Sequence, residues 1–137
     1  VLPGVKKTLE RVRSQGIDIF GNTGRSSKKA WVDMTMETLE RGNVIDFFKR
    51  VFFTPDEARS SISKIDALRR LRIRYDYVEH YEDDPRTARN IAAVFPEITV
   101  FLVTNGTTGM LFSKSELDRF PNIKRIGFLG EPHQINF

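Results

Sequence analysis

The sequence predicts an α/β fold built on a mostly parallel, doubly wound sheet, and three observations carry that expectation. Helical and strand-like patterns alternate along the whole chain, as parallel strands joined by crossover helices require. The run "ITVFLVT" at 98–104 is continuously apolar, the pattern of a central strand covered on both faces. Polar segments directly follow three of the strand-like runs, where an open α/β sheet gathers its ligand-binding loops.

Taken in order, "PGVKKTLERVRSQG" reads as a helix, with Pro3 near its start, Gly16 just past its end and Val5, Leu9 and Val12 as its apolar stripe. "IDIF" is a short strand over 17–20, ending at the glycine-rich turn "GNTGRSS". "KKAWVDMTMETLERG" is helical with Gly42 as its stop, "VIDFF" one further helical turn and "RVFF" a strand over 50–53. Asp56 follows Pro55 in a loop or first turn, and then Ile62, Ile65, Leu68 and Leu71 recur every third residue as a helical face. "YDYVEHY" is a strand over 75–81, and "RTARNIAAVF" a helix that buries Ala88, Ile91, Ala92 and Phe95. The apolar strand covers 98–103. After "NGTTG" come a short helix, "SKSELDRF", and a last strand over 124–129, "KRIGFL". The chain opens on a helix where a doubly wound sheet usually opens on a strand, so a further element is expected before Val1.

Composition narrows the function. The 137 residues are 39% apolar and 29% charged, which suits a single globular domain spanning 1–137. Cysteine is absent, so disulfides, thiolate zinc sites and a cysteine nucleophile are excluded. No apolar stretch or signal-peptide pattern points to a membrane partner, and the expected location is the cytoplasm. The net charge of +4 keeps nucleic acid open as a partner. The one dense basic cluster, "RRLRIR" at 69–74, falls at a helix end, where cations favour the dipole anyway.

Three stretches carry chemistry. In "GNTGR", Gly21 and Gly24 allow close approach, Thr23 offers a hydroxyl, and the following amides head a helix, which suits phosphate. The structural alternative is an ordinary strand-to-helix turn with Ser26 or Ser27 as N-cap. Lys64 sits near a helix start in "SISKIDALRRL", either as a solvated lysine or as a cation aimed at a phosphoryl group. The triplet Glu82, Asp83 and Asp84 ends a strand. Asp84 can cap the next helix ahead of Pro85 at its first position, while its neighbours meet Mg²⁺, a hard ion that prefers carboxylate oxygens. His80 and His133 show no ligand spacing and read as packed or surface residues. "TNGTTG" after the apolar strand is a third polar loop at a strand end.

The order "LPGV", strand, "TGR", then "SK" at a helix start, then strand and "EDDPR" resembles the haloacid dehalogenase-like phosphatase superfamily over about residues 2–105. The resemblance implies a Rossmann-like core, with the short interval from Thr23 to Lys64 leaving no room for a large inserted cap domain. It implies Thr23 as the phosphate-binding threonine of the second motif and Lys64 as the lysine of the third. Asp83 and Asp84 match the Mg²⁺-binding acids of the fourth, with Glu82 the alternative if the register shifts by one. Gly24 and Arg25 are then expected at a small phosphorylated substrate, Arg25 toward the leaving group. The implied activity is phosphate-ester hydrolysis through an aspartyl-phosphate. The first motif, an Asp-x-Asp strand that supplies nucleophile and general acid, does not occur in residues 1–137 and is expected before Val1; Asp18 in "IDIFG" is a faint second match. Two other readings are a non-catalytic phosphate-binding or protein-interaction domain on the same scaffold, and an enzyme acting on nucleic-acid phosphate ends.

Overall fold

A computed structural model describes residues 4–104 and 114–127. Among these, the protein is a mixed α/β structure with two small sheets, one of two strands and one of three, and every strand pair is parallel. The chain divides into two compact units, Val1–Ala67 and Leu68–Phe137.

The first unit runs through helix α1 (Val5–Ser14), strand β1 (Ile19–Ser26), helix α2 (Lys29–Arg41), a 3-10 turn (Ile45–Phe47) and strand β2 (Phe48–Thr54), then enters helix α3 (Ser60–Arg74). Leu9 is buried with Val44 and Phe47, and Val5, Ile19, Leu39 and Phe48 pack around them. Val5 and Leu9 of the expected α1 stripe thus face a core, while Arg13 stacks its guanidinium 4.2 Å from the centre of the Phe47 ring. Gly16 adopts a left-handed φ of 78° just past the end of α1, a conformation that glycine reaches without a Cβ penalty. Helix α2 ends at Gly42 as expected, but the left-handed residue there is Asn43, whose short polar side chain tolerates φ 55°.

Element bounds and one helix face differ from the sequence reading in this unit, and β2 runs over Phe48–Thr54 rather than 50–53. Strand β1 starts later than expected and continues through the residues read as a turn. Because it reaches Ser26, α2 begins only at Lys29, and neither Ser26 nor Ser27 is its N-cap; Ser26 instead accepts the Lys28 amide at 3.1 Å. On α3, Leu68 and Leu71 are buried, but Ile62 is 52% exposed. A strict three-residue spacing slips by about 60° per step on a helix of 3.6 residues per turn. Three such steps carry Ile62 to the side opposite Leu71.

The second unit takes up the rest of α3, strand β3 (Glu79–Glu82), helix α4 (Pro85–Val94), strand β4 (Thr99–Val103), helix α5 (Lys114–Arg119) and strand β5 (Ile123–Ile126). β4 is the central strand, pairing Glu79–Glu82 on one side and Ile123–Ile126 on the other. Its Val100, Phe101, Leu102 and Val103 are all buried, as the continuous apolar run requires. Ala88, Ile91, Ala92 and Phe95 are buried too, matching the expected face of α4. Tyr81 stacks on Phe101 at 4.8 Å. The Asn122 amide donates to the carbonyls of Ala92, Phe95 and Ile98 at 3.0–3.1 Å, tying the end of α4 to the residue before β4.

Strand β3 is shorter than the 75–81 expected from its aromatic content. Tyr75 donates its amide to Leu71, and Arg72 donates to the Tyr75 and Asp76 carbonyls, so this backbone finishes α3. The last strand begins one residue before the expected 124, and its ladder ends at Ile126. Pro3, the "NGTTG" segment, residues 128–129 and His133 lie outside the described residues. No described helix is long and apolar enough to cross a membrane.

Candidate functional site

The glycine-rich segment is a bulged strand end. The ladder pairs Asn22 with Phe52 and then Ser26 with Thr54, so four steps along β1 match two along β2. The surplus falls at Thr23, Gly24 and Arg25, and a bulge of this kind bends a strand and redirects its side chains. The fold holds it by three bonds. Thr54 Oγ1 donates to the Thr23 carbonyl at 3.0 Å, the Arg25 amide donates to Thr23 Oγ1 at 3.1 Å, and Ser27 N donates to the Thr54 carbonyl at 2.9 Å.

The bulge lies against the first turns of α3. Asn22 Nδ2 donates to the Lys64 carbonyl at 3.1 Å, and a Cβ placed on Gly24 would fall 2.9 Å from Ser60 Cβ. Only a residue without a side chain allows this approach unstrained. Ser63 Oγ donates to the Phe53 carbonyl at 3.4 Å, fixing the same end of α3 to β2. Thr23 and Gly24 and the backbone of Lys64, 41 and 40 residues further along the chain, therefore lie together at the carboxyl ends of two parallel strands, with Thr23 and Lys64 half-buried.

Arg25 is exposed, and its Nη1 donates to Thr35 Oγ1 at 3.2 Å; the Thr35 hydroxyl in turn donates to the Trp31 carbonyl at 2.8 Å. The guanidinium therefore braces α2 in this structure. Asp18 precedes the amino end of β1 and pairs with Lys49 at 3.2 Å. Thr23 stands five residues further along, about 16 Å for an extended strand. The faint first-motif match is thus at the wrong end of its strand to meet Thr23. Ser26, Lys28 and Asp56 form a surface cluster beside the bulge: Ser26 Oγ donates to Asp56, and Lys28 Nζ lies 3.6 Å from the same carboxylate.

In the second unit the acidic triplet splits into three roles. Glu82, the last residue of β3, is 3% exposed, and the strand's alternation points it to the same side as His80, which is 6% exposed. Its Oε2 accepts the Asp83 and Asp84 amides at 3.2 Å each, and its Oε1 lies 3.2 Å from His80 Nε2. Asp84 is the N-cap of α4, accepting from the Arg86 amide at 3.3 Å and the Thr87 hydroxyl at 2.6 Å, with Pro85 at the first helical position. This is the capping role the sequence offered. Asp83 is exposed. The His80–Glu82 pair was not legible as a pair. Its signal is the period of two in "EHYE", obscured because Glu82 reads at first sight as part of an acidic loop.

The oxygen donors of this turn suit a hard cation, but their number is short. Among the described residues, no three His, Asp or Glu side chains group to hold a metal ion, and Mg²⁺ takes six oxygens, several of them usually water. Tyr77, two residues before β3, and Tyr81 within it both donate to the Glu79 carboxylate, at 2.8 and 3.2 Å. Partial burial, aided by that carboxylate, pushes the Tyr77 phenol up to about 12. Comparisons with protein-family models, curated proteins and solved structures found no match to this chain.

Proposed function

We propose that the chain carries the phosphoryl-binding part of a Mg²⁺-dependent phosphate-ester hydrolase of the haloacid dehalogenase-like type, acting on a small phosphorylated substrate. The observation that carries the reading is the convergence of Thr23 and Gly24 with the first turns of α3, where Lys64 lies. A hydroxyl, a glycine amide at a strand bulge and a lysine are groups that can stabilise charge on a transferring phosphoryl group. The finer fold, one doubly wound Rossmann-like sheet, belongs to the same proposal; the parallel pairing of every described strand supports it.

In this reading Thr23 Oγ1 and the Gly24 amide hold the phosphoryl oxygens, and the Lys64 ammonium offsets their charge. Asp83 and Asp84 would hold Mg²⁺ together with carboxylates of an Asp-x-Asp pair. Hydrolysis needs that pair. An aspartate oxygen attacks phosphorus, the ester oxygen leaves with a proton from the second aspartate, and water then cleaves the aspartyl-phosphate. Residues 1–137 contain no Asp-x-Asp.

The test compares two forms on p-nitrophenyl phosphate, with and without Mg²⁺: residues 1–137, and the same chain carrying an Asp-x-Asp strand ahead of Val1. Only the second is expected to turn over, and Lys64→Ala or Asp83→Asn is expected to lower its rate. Loss of a nucleophile typically removes several powers of ten, each about 1.4 kcal/mol of barrier. Metal-dependent turnover by residues 1–137 alone would overturn the placement of the nucleophile. The second reading, phosphate binding without hydrolysis, is favoured by the capping role of Asp84 and the brace from Arg25 to Thr35, which tie two expected site residues to structure.

A further inference from the structure

We propose that Glu82 is a positioning residue for the acidic turn and not a ligand of the cation that turn would bind. The inference rests on the reading of Asp83 and Asp84 as a cation-binding pair, and it assigns the third acid a separate task.

Burial is the first reason. A carboxylate that is 3% exposed is costly unless its oxygens are hydrogen-bonded. Glu82 meets that condition by accepting two successive backbone amides on Oε2 while Oε1 faces His80 Nε2. The histidine tautomer with its hydrogen on Nε2 donates to that oxygen. Connectivity is the second reason. The two amides belong to the residues whose carboxylates are in question, so the inward side chain of Glu82 sets where the Asp83 and Asp84 Cα–Cβ bonds leave the backbone. Asp84 is then fixed a second time by the Arg86 amide and the Thr87 hydroxyl. To meet an ion in solvent, Glu82 would have to leave the interior, whereas Asp83 and Asp84 are exposed. The arrangement therefore separates the acids: Glu82 holds the turn from inside, Asp84 joins it to α4, and Asp83 faces solvent.

The experiment uses the 137-residue chain, wild type and with Glu82→Gln, Glu82→Ala or Asp83→Asn. Amide exchange rates of residues 83 and 84 are read by NMR, and Mg²⁺ is titrated against the same resonances. Amides held by a buried carboxylate are expected to exchange at least about tenfold faster in Glu82→Ala, with partial restoration in Glu82→Gln, whose carbonyl oxygen can still accept. Mg²⁺ affinity is expected to fall in the same order, while Asp83→Asn loses the response without altering exchange at residue 84. Equal exchange rates in wild type and both Glu82 variants would overturn the proposal. So would a folded Glu82→Gln that loses Mg²⁺ as fully as Asp83→Asn, which would make Glu82 a ligand. If Glu82→Ala does not fold, the comparison of wild type with Glu82→Gln decides. A wild-type chain that ignores Mg²⁺ would refute the cation reading of the turn, and the exchange rates alone would still decide the role of Glu82.

Discussion

Gly24 is the position where the proposed site can be stressed by a single methyl group. An alanine Cβ there would lie 2.9 Å from Ser60 Cβ, and ordinary van der Waals contact begins near 3.4 Å, so the overlap is about 0.5 Å. Ser60 is the first residue of α3, and its Cβ is fixed by the backbone rather than by a rotamer. Relief must come from moving the bulge or the helix end. Overpacking of this size typically costs about 1–3 kcal/mol. Gly24→Ala is therefore expected to destabilise the first unit by that amount. Ser60→Gly alone should cost about 0.5–1 kcal/mol, the usual penalty of a helical glycine. In the double variant the alanine methyl no longer meets a Cβ at position 60, so at least about 1 kcal/mol should be recovered as coupling. Urea unfolding followed by fluorescence of the single tryptophan, Trp31 on α2, reads this unit. Gly24→Ala within about 0.5 kcal/mol of wild type, or a double variant that sums its parents, would refute the close approach of bulge and helix.

Further outcomes follow from the second unit. Asn122→Ala removes the side-chain donor to three carbonyls, of which Phe95 still accepts the Ile98 amide, and is expected to cost about 1–3 kcal/mol in urea unfolding followed by far-ultraviolet circular dichroism. Asp84→Ala removes the cap of α4 and should cost about 1 kcal/mol, Asp84→Asn much less, and the exposed Asp83→Ala little, by the same assay. Tyr77 deprotonates more readily in the unfolded chain than in the folded one. Its contribution to stability is thus whole below pH 10 and falls as pH rises through about 12; Tyr77→Phe should flatten that decline in unfolding curves taken at high pH.

The parts of the fold legible in the sequence are those where burial on both faces or local chemistry dictates the outcome. β4 announces itself through "VFLV", because successive residues on both of its faces are buried, leaving no solvent-facing side to mark with polar residues. Asp84 followed by Pro85 fixes the start of α4 by a capping carboxylate and a preset φ. The elements that moved depend on tertiary partners. Tyr75 and Asp76 look like strand residues, but Arg72 on the preceding helix claims their carbonyls. Gly21 and Gly24 look like turn residues, yet β2 continues alongside and the extra residues are absorbed as a bulge. In the candidate site, residue types were legible and contacts were not. Thr23 and Lys64 stood out by chemistry, but Asn22, which links the bulge to the Lys64 backbone, is an ordinary loop asparagine in the sequence. Glu82 was visible as an acid, and its inward direction emerges only once β3 is known to include it.

The central claim, that the Thr23–Gly24 bulge and Lys64 bind a phosphoryl group, is tested most directly by titrating the 137-residue chain with inorganic phosphate at low ionic strength, observed through backbone amide NMR. The account predicts saturable shifts concentrated at Thr23, Gly24, Arg25 and the first turns of α3. It predicts that Thr23→Val and Lys64→Ala each weaken binding at least about tenfold, as expected for the loss of one hydrogen bond to a charged group. Shifts that are absent, that spread over the basic surface without saturating, or that persist unchanged in both variants would contradict it.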